Sequence, residues 1–291
     1  HGLILQKYCW FIKRIMERSV NIFVLNWNGK KIINECLHSL MKISYTNSKI
    51  IVIDNGSKDD SVSFISKEFP KVQIVELNHN FGFAKGNNMG FSSTDHADYS
   101  IFINNDTIVD SAFVEPLINT LEKNNNIAQV SPKIFYHNQK NRIWYAGSIV
   151  NLPIGYIRHK GIRKNDSPIY SHLSKTDYAT GCCICMRSND FIEIGMFDDS
   201  FPMYCEDVDL SLRFKKIGKK ILYVPDSKVW HKVSYSIGGE FSFNKWKTKQ
   251  LAKFKLINKH SNSLIVILIF PLLVLLSLIE LMLNSLMRWF R

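Results

Sequence analysis

Ile101-Phe102-Ile103-Asn104-Asn105-Asp106-Thr107 is an apolar strand that stops abruptly in two amides and a carboxylate. Val52-Ile53-Asp54-Asn55-Gly56-Ser57, upstream, does the same. Buried strands that each end in Asp and Asn describe the carboxyl edge of an open α/β sheet, where such folds bind ligands. A lone carboxylate flanked by amides, which cannot compete as charges, suits a divalent cation carrying a phosphate-bearing ligand. Asn and Asp also make ordinary turns, and a turn would account for either run alone. Two such runs, with an acidic cluster downstream, favour a site.

Outward from these runs, strand and helix patterns alternate. Val20–Leu25 is β-rich and stops at Asn26-Trp27-Asn28-Gly29. Residues 31–41 have helical apolar spacing, 49–53 read as a strand, 59–69 as a helix stopped by Pro70, and 72–77 as a third strand. Residues 78–88 read as a polar loop, and Met89–Ser93 begins or continues a helix. Ser100–Ile103 delivers Asp106, and 113–124 is helical. Short connections between alternating elements imply a doubly wound parallel sheet. Residues 130–178 are less regular, with β-type runs at 133–136 and 144–150, and rich in aromatic and basic residues. Helices are expected over 190–195 and 207–217, and a last strand over Lys220–Val224, closed by Pro225.

The 291 residues carry a formal net charge of +12, which implies an anionic partner without naming it. The six cysteines lack the spacing of a zinc site and read as small core residues, and free thiols favour a reducing compartment. Ser261–Ile279 carries no charge, close to the roughly 20 residues of a spanning helix. Before it lies a basic, aromatic segment containing Lys245, Trp246, Lys247, Lys249, Lys253, Lys255 and Lys259, as found on the cytoplasmic side of a membrane rich in anionic lipid. A buried core helix, or one lying in the interface, would also fit. Residues 1–18 read as an interfacial amphipathic helix.

Several residues can carry chemistry. Asp54 can accept from a nucleobase imide or a ribose hydroxyl, with Asn55, Gly56 and Ser57 as its turn. Asn26 and Asn28 either face the same ligand or make a turn. Gly82-x-x-x-Gly86-Asn87-Asn88 is neither of the usual phosphate-loop patterns, yet Lys85 can neutralise a phosphate. Cys205-Glu206-Asp207-Val208-Asp209 crowds three carboxylates at a helix start, either as favourable charge on the helix dipole or as a general base whose pKa a neighbour raises. His231, beyond the late strand, is a structural histidine or a metal ligand beside Asp106.

Together these residues resemble glycosyltransferase family 2, inverting nucleotide-sugar enzymes of GT-A fold, and most closely its rhamnosyltransferase-like members. The resemblance runs from about Ser19 to Tyr235. It is carried by Val24–Asn28, Ile53–Ser57, Asn80–Asn88, Asn104–Asp106, Gly195–Asp198, Glu206–Asp209 and Trp230–His231. It implies an α/β, Rossmann-like, mostly parallel sheet, with a catalytic domain over 19–240 divided into a nucleotide-sugar half (19–129) and an acceptor half (130–240). A basic juxtamembrane segment (241–260) and a transmembrane or membrane-embedded helix (261–283) follow. The nucleotide sugar is expected at Asn26, Asn28, Asp54, Asn55, Ser57, Gly82, Lys85, Asn88, Asn104, Asn105 and Asp106.

Asn104-Asn105-Asp106 stands where the family has Asp-x-Asp, so only Asp106 can be an acidic ligand of Mg²⁺ or Mn²⁺, with His231 completing the shell. Asp207 matches the catalytic base, with Glu206 as its neighbour. The expected partners are a nucleotide-diphosphate sugar, a glycan or polyprenyl-linked acceptor, and anionic membrane lipid, but not nucleic acid. The expected location is the membrane, with the catalytic domain facing the cytoplasm. The missing first Asp leaves open a membrane-anchored scaffold that has lost catalysis. A sugar-phosphate nucleotidyltransferase would need a basic glycine-rich loop, which Asn26-Trp27-Asn28-Gly29 does not resemble, and a dehydrogenase would need a dinucleotide fingerprint after the first strand.

Overall fold

Four parallel strands carry the first half of the chain: β1 (Val20–Asn26), β2 (Ser48–Asp54), β3 (Gln73–Glu76) and β4 (Tyr99–Asn104), in the order β3-β2-β1-β4. The computed structural model describes residues 18–201, 203–233, 243–261, 270–272, 274–275 and 277–279. Because β1, β2 and β4 are covered on both faces, their centres are apolar runs rather than alternating, whereas edge strand β3 has exposed polar ends. Ile22 and Val24 face one core cluster with Val52, Ile101 and Ile103, while Phe23 faces the other with Ile51, Ile53 and Phe102. Phe23 and Phe102 stack at 5.2 Å, both fully buried, each burial contributing roughly 1.5–3 kcal/mol.

Helix α1 (Lys30–Leu40) buries Ile33, Cys36, Leu37 and Leu40, an i, i+3, i+4, i+7 stripe, against the first cluster. Helix α2 (Ser61–Glu68) follows β2. Helix α3 spans Gly82–Ser92, so most of the expected 78–88 loop is helical. Its sheet-facing side combines Phe91, packed on Phe23 and Phe102, with glycines small enough for close approach. A Cβ on Gly90 would lie 2.2 Å from Cδ1 of Ile53, and one on Gly86 would lie 3.0 Å from Nδ2 of Asn55. Gly86 therefore serves helix–sheet packing.

The second half is mixed rather than parallel. After β5 (Thr107–Val109) and α4 (Val114–Glu122) come β6 (Ile127–Tyr136), β7 (Gln139–Tyr145), β8 (Ser148–Asn151) and β9 (Tyr156–His159). Then follow β10 (Ser174–Lys175), β11 (Cys183–Arg187), α5 (Ser188–Glu193), α6 (Glu206–Lys216), β12 (Lys220–His231) and α7 (Phe243–His260). The main sheet continues the first four strands as β10-β12-β6-β11-β4, with β5 on β12 and β7 on β6. Strand β11 is antiparallel to both β4 and β6, whereas β12 is parallel to β6. The expected run 144–150 is split between β7 and β8 by a turn containing Gly147 at φ +91°.

Pro225 does not close β12. A register shift between Val224 and Lys228 absorbs the missing donor, and the strand continues to His231. Cys183 and Cys185 of β11 pack on one face, and Ile184 and Met186 on the other. Cys36, Cys182, Cys183 and Cys185 are buried free thiols. A third cluster packs Ala252 and Leu256 of α7 on Phe201 and on Val208 of α6. Among the described residues, no helix is long and apolar enough to cross a membrane. The expected helix at 1–18 lies almost wholly outside the described residues, and much of the 261–283 segment does also.

Candidate active site

The carboxyl ends of β1, β2 and β4 bring the first group of residues together. Asn26 is fully buried, and its Nδ2 donates to Oδ1 of Asp54 at 3.1 Å. Nδ2 of Asn105 donates in turn to Oδ1 of Asn26 at 2.9 Å. Oδ2 of Asp54 accepts from the Ser57 amide at 2.9 Å. Each Asp54 oxygen thus retains a lone pair for a ligand. Asn28, at φ +49°, takes the left-handed conformation that Asn tolerates and accepts from the Lys58 amide at 2.7 Å. Ser57 Oγ accepts from the Asn28 amide at 2.8 Å.

Two expected donor-site amides are engaged with the protein itself. Asn55 donates to Asn80 Oδ1 and the Gly82 carbonyl, both at 3.0 Å, and accepts from the Phe81 amide. Asn88 donates to the Phe197 carbonyl at 2.8 Å and accepts from the Phe197 amide at 3.1 Å. Both side chains frame the site by holding its loops. Lys85 is exposed, with Nζ 5.1 Å from the centroid of the Phe81 ring. The Gly82 amide is occupied by Asn80 Oδ1.

Asp106 and His231 meet at the seam between β4–β5 and β12. Nε2 of His231 lies 3.2 Å from Oδ1 of Asp106, and both side chains are more than nine-tenths buried. Neither Asp106 Oδ1 nor His231 Nδ1 has a hydrogen-bond partner. Burial alone would raise the Asp106 pKa, but His231 and then Lys232 outweigh it and hold it below the ordinary value. The Trp144 ring meets His231 edge-on at 4.6 Å and fixes its plane.

Among the described residues, no three His, Cys, Asp or Glu side chains are grouped so as to hold a metal ion by themselves. A buried carboxylate oxygen and imidazole nitrogen 3.2 Å apart nevertheless fit a divalent cation that takes its other ligands from substrate phosphate and water. The sequence reading missed Lys232, whose Nζ pairs with Glu35 at 2.6 Å and whose charge faces Asp106. The only signal for it was a basic residue next to His231.

The base candidates are tied to the same sheet edge through the backbone. The Asn104 amide donates to the Cys182 carbonyl at 3.0 Å. One residue earlier, the Gly181 amide donates to Oδ2 of Asp207 at 2.7 Å. The end of β4 is therefore tied through β11's approach to the start of α6. Asp207 Oδ1 accepts from the Val208 amide at 2.8 Å. Burial raises the Asp207 pKa despite these bonds. Glu206 is buried with Oε2 unpartnered, and burial, then the Asp207 charge, pushes its carboxyl well up.

Tyr204 and Cys205, at φ +69° and +68°, are consecutive non-glycine residues in the left-handed region, costing about 1–3 kcal/mol each. That strain sits directly before the acidic pair. The structure separates Asp209 from Glu206 and Asp207. Fully buried, it is paired with Arg213 at 2.8 Å and with Lys259 and His260 at 2.7 Å each.

The family model for Glycosyl transferase family 2 matches residues 21–195, more than half of the chain. The rhamnosyltransferase WbbL of Escherichia coli (strain K12) is 36% identical over 85 residues, 28% of this chain and 31% of that protein. The O-antigen biosynthesis protein RfbC of Myxococcus xanthus is 22% identical over 206 residues, 68% of this chain and 16% of that protein. The chain spans half or less of the length of these curated relatives.

Among solved structures, the mannosyltransferase PcManGT from Pyrobaculum calidifontis, in complex with GDP-Man and Mn²⁺, aligns with a TM-score of 0.58 at 14% identity, covering 88% of this chain and 70% of that one. GalNAc-T7 with UDP, GalNAc and Mn²⁺ aligns with a TM-score of 0.60 at 17% identity, covering 74% of this chain and 43% of that one. At these identities the likeness is one of fold. The family match covers the strands that carry Asn26, Asp54 and Asp106, and the chain belongs to glycosyl transferase family 2.

Proposed function

We propose that this chain is an inverting glycosyltransferase that moves a sugar from a nucleotide-diphosphate sugar to a hydroxyl of a glycan or polyprenyl-linked acceptor, with a divalent cation, Mg²⁺ or Mn²⁺. The observation that carries this reading is the convergence of Asp106 Oδ1 and His231 Nε2, buried and 3.2 Å apart, at the sheet edge to which Asp207 is tied through Gly181. The identity with a rhamnosyltransferase supports rhamnose as the sugar. The Mn²⁺ in both neighbouring structures supports a metal-assisted reaction.

In this reading Asp54 accepts from the nucleobase or ribose, while Asn26 and Ser57 hold its carboxylate in place. Asp106 and His231 would hold the cation, which when bound neutralises the charge of the departing diphosphate. Asp207 takes the proton of the acceptor hydroxyl, and the Gly181 amide fixes the direction of the accepting carboxylate. The acceptor oxygen then bonds to the anomeric carbon as the bond to the diphosphate oxygen breaks on the opposite face. One displacement inverts that carbon, and nucleoside diphosphate leaves. The raised pKa of Asp207 makes it a stronger base than an exposed aspartate.

The test is the anomeric configuration of the product, read by NMR after transfer from donors of known configuration. Inversion is expected. Retention would remove Asp207 from the role of base. Failure to bind any nucleotide sugar, by folded protein with Mg²⁺ or Mn²⁺ present, would favour the inactive scaffold.

A further inference from the structure

Nε1 of Trp246 and Nε2 of Gln250 both donate to Ser277 Oγ, at 2.8 and 2.9 Å, and the Phe254 ring lies 4.8 Å from that of Phe270. Later residues of α7 meet earlier residues of the other segment, so the described residues between 270 and 279 run antiparallel along α7. The described residues of that segment are helical. Helix α7 carries six lysines and no acidic residue. If its apolar neighbour crossed a bilayer, α7, lying alongside, would be drawn into hydrocarbon, where each ammonium is expensive. The pairing therefore disfavours a span. Two helices lying side by side in the plane of the surface meet no such cost.

The exposed side chains fit that arrangement. Leu272, Leu275 and Ile279, spaced i, i+3, i+7, form an apolar stripe that stays 44–55% exposed, and Leu251 of α7 is exposed as well. The short turn Leu152–Ile154, between β8 and β9, packs on α7 and adds exposed Ile154 and Tyr156. Exposed apolar side chains, with exposed Lys247 and Lys249 on α7, match the headgroup–acyl boundary of an anionic leaflet.

We propose that α7 and residues 270–279 form an in-plane helical hairpin that seats the protein on one anionic leaflet without crossing it, and so holds the base at the lipid surface. The hairpin is fastened to the base helix. Lys259 bridges Asp209 and Asp198 at 2.7 and 2.6 Å, and Asp209 lies two residues from Asp207 on α6. The seating does not depend on sugar transfer. The consequence that the acceptor hydroxyl belongs to a lipid-linked molecule does rest on the function proposed above.

The test uses the full chain in membrane vesicles of known sidedness, with an epitope tag following Arg291. Protease added to the face that holds the catalytic domain should remove both the domain and the tag. A tag that survives on vesicles whose catalytic domain has been digested overturns the proposal. Flotation with phosphatidylglycerol vesicles is expected, with binding about tenfold weaker to pure phosphatidylcholine and about tenfold weaker for the Leu272→Glu/Leu275→Glu double variant. Equal binding to both lipids, or undiminished binding of a variant that retains its circular dichroism spectrum, would also overturn it. Hydrolysis of nucleotide sugar by that variant in detergent should be unchanged, which separates a failure of seating from a failure of the transferase reading.

Discussion

Nε2 of His231 and Oδ1 of Asp106 stand 3.2 Å apart because the end of β12 pairs with β5. His231 lies opposite Thr107, and the Lys232 amide donates to the Asp106 carbonyl at 2.9 Å. Backbone register therefore sets the pair, and neither side chain is needed to hold the strands together. Substituting either one should remove the convergence of donors while leaving the sheet in place.

Asp207→Asn keeps a side chain that can still accept from the Gly181 amide but cannot take a proton. Transfer is expected to fall about 10³-fold with donor affinity little changed. In the wild type, acidification protonates the base. Because burial raises the Asp207 pKa, the acid-side loss of rate should begin at higher pH than an exposed aspartate would give. A rate profile following an ordinary carboxylate, or one that persists in Asp207→Asn, would assign the base elsewhere.

Glu206 predicts a stability effect of the opposite kind from a paired carboxylate. Its folded pKa lies above the unfolded one, so the folded state favours the protonated form. Its contribution is fully present below the unfolded pKa and is lost as pH rises through the folded one. Glu206→Gln removes that loss. The expected gain in Tm is roughly 2–4 °C at pH 8, the scale of about 1 kcal/mol in a domain of this size, and near zero at pH 4. Thermal unfolding at both pH values checks this, and a lower Tm for the variant at pH 8 would mean that ionised Glu206 has a stabilising partner.

Asp209 should behave as structure despite its place two residues from the base. Its pKa lies below the ordinary value because its bonds to His260 and Lys259 and the charge of Arg213 outweigh the effect of burial, which raises it. Its stabilisation is present above the unfolded pKa and is lost as pH falls through the folded one. Asp209→Asn leaves partly buried cations without their counter-ion and is expected to cost about 3–5 kcal/mol in urea unfolding. A cost below about 1 kcal/mol would mean that Asp209 does not fasten α7.

Asn88 and Lys85, three residues apart on α3, separate framing from contact. Asn88→Ala strands the amide and carbonyl of Phe197, at about 1–3 kcal/mol each, and should lower stability more than donor affinity. Exposed Lys85→Ala should change stability by less than about 0.5 kcal/mol and act on donor binding through the lost charge. Calorimetric donor titration beside chemical unfolding checks both, and the reverse pattern would exchange their roles.

The strands that carry Asn26, Asp54 and Asp106 were legible because they are apolar on both faces and end in polar residues. The first two turns of α3 were hidden because they face the sheet with Ala84 and Gly86, suited to close approach, and apolar bulk on that side comes from Phe91 near the helix end. Pro225 suggested the end of β12, since a proline removes a donor, but the bulge before Lys228 allows the strand to reach His231. The acidic run 206–209 read as one cluster. Only the fold shows that the cations of α7 claim Asp209, because those partners lie some 50 residues downstream in sequence. The antiparallel contact of α7 with residues 270–279 has no local signature in composition at all.

The most direct measurement is calorimetric binding of a panel of nucleotide-diphosphate sugars, with Mn²⁺, Mg²⁺ or EDTA, to the wild type, Asp106→Ala and His231→Ala. A donor that binds wild type with metal, at least about tenfold more weakly in EDTA, and as weakly to both variants with metal present, is the predicted result. Donor binding that is indifferent to EDTA and to both substitutions in folded protein would contradict the account.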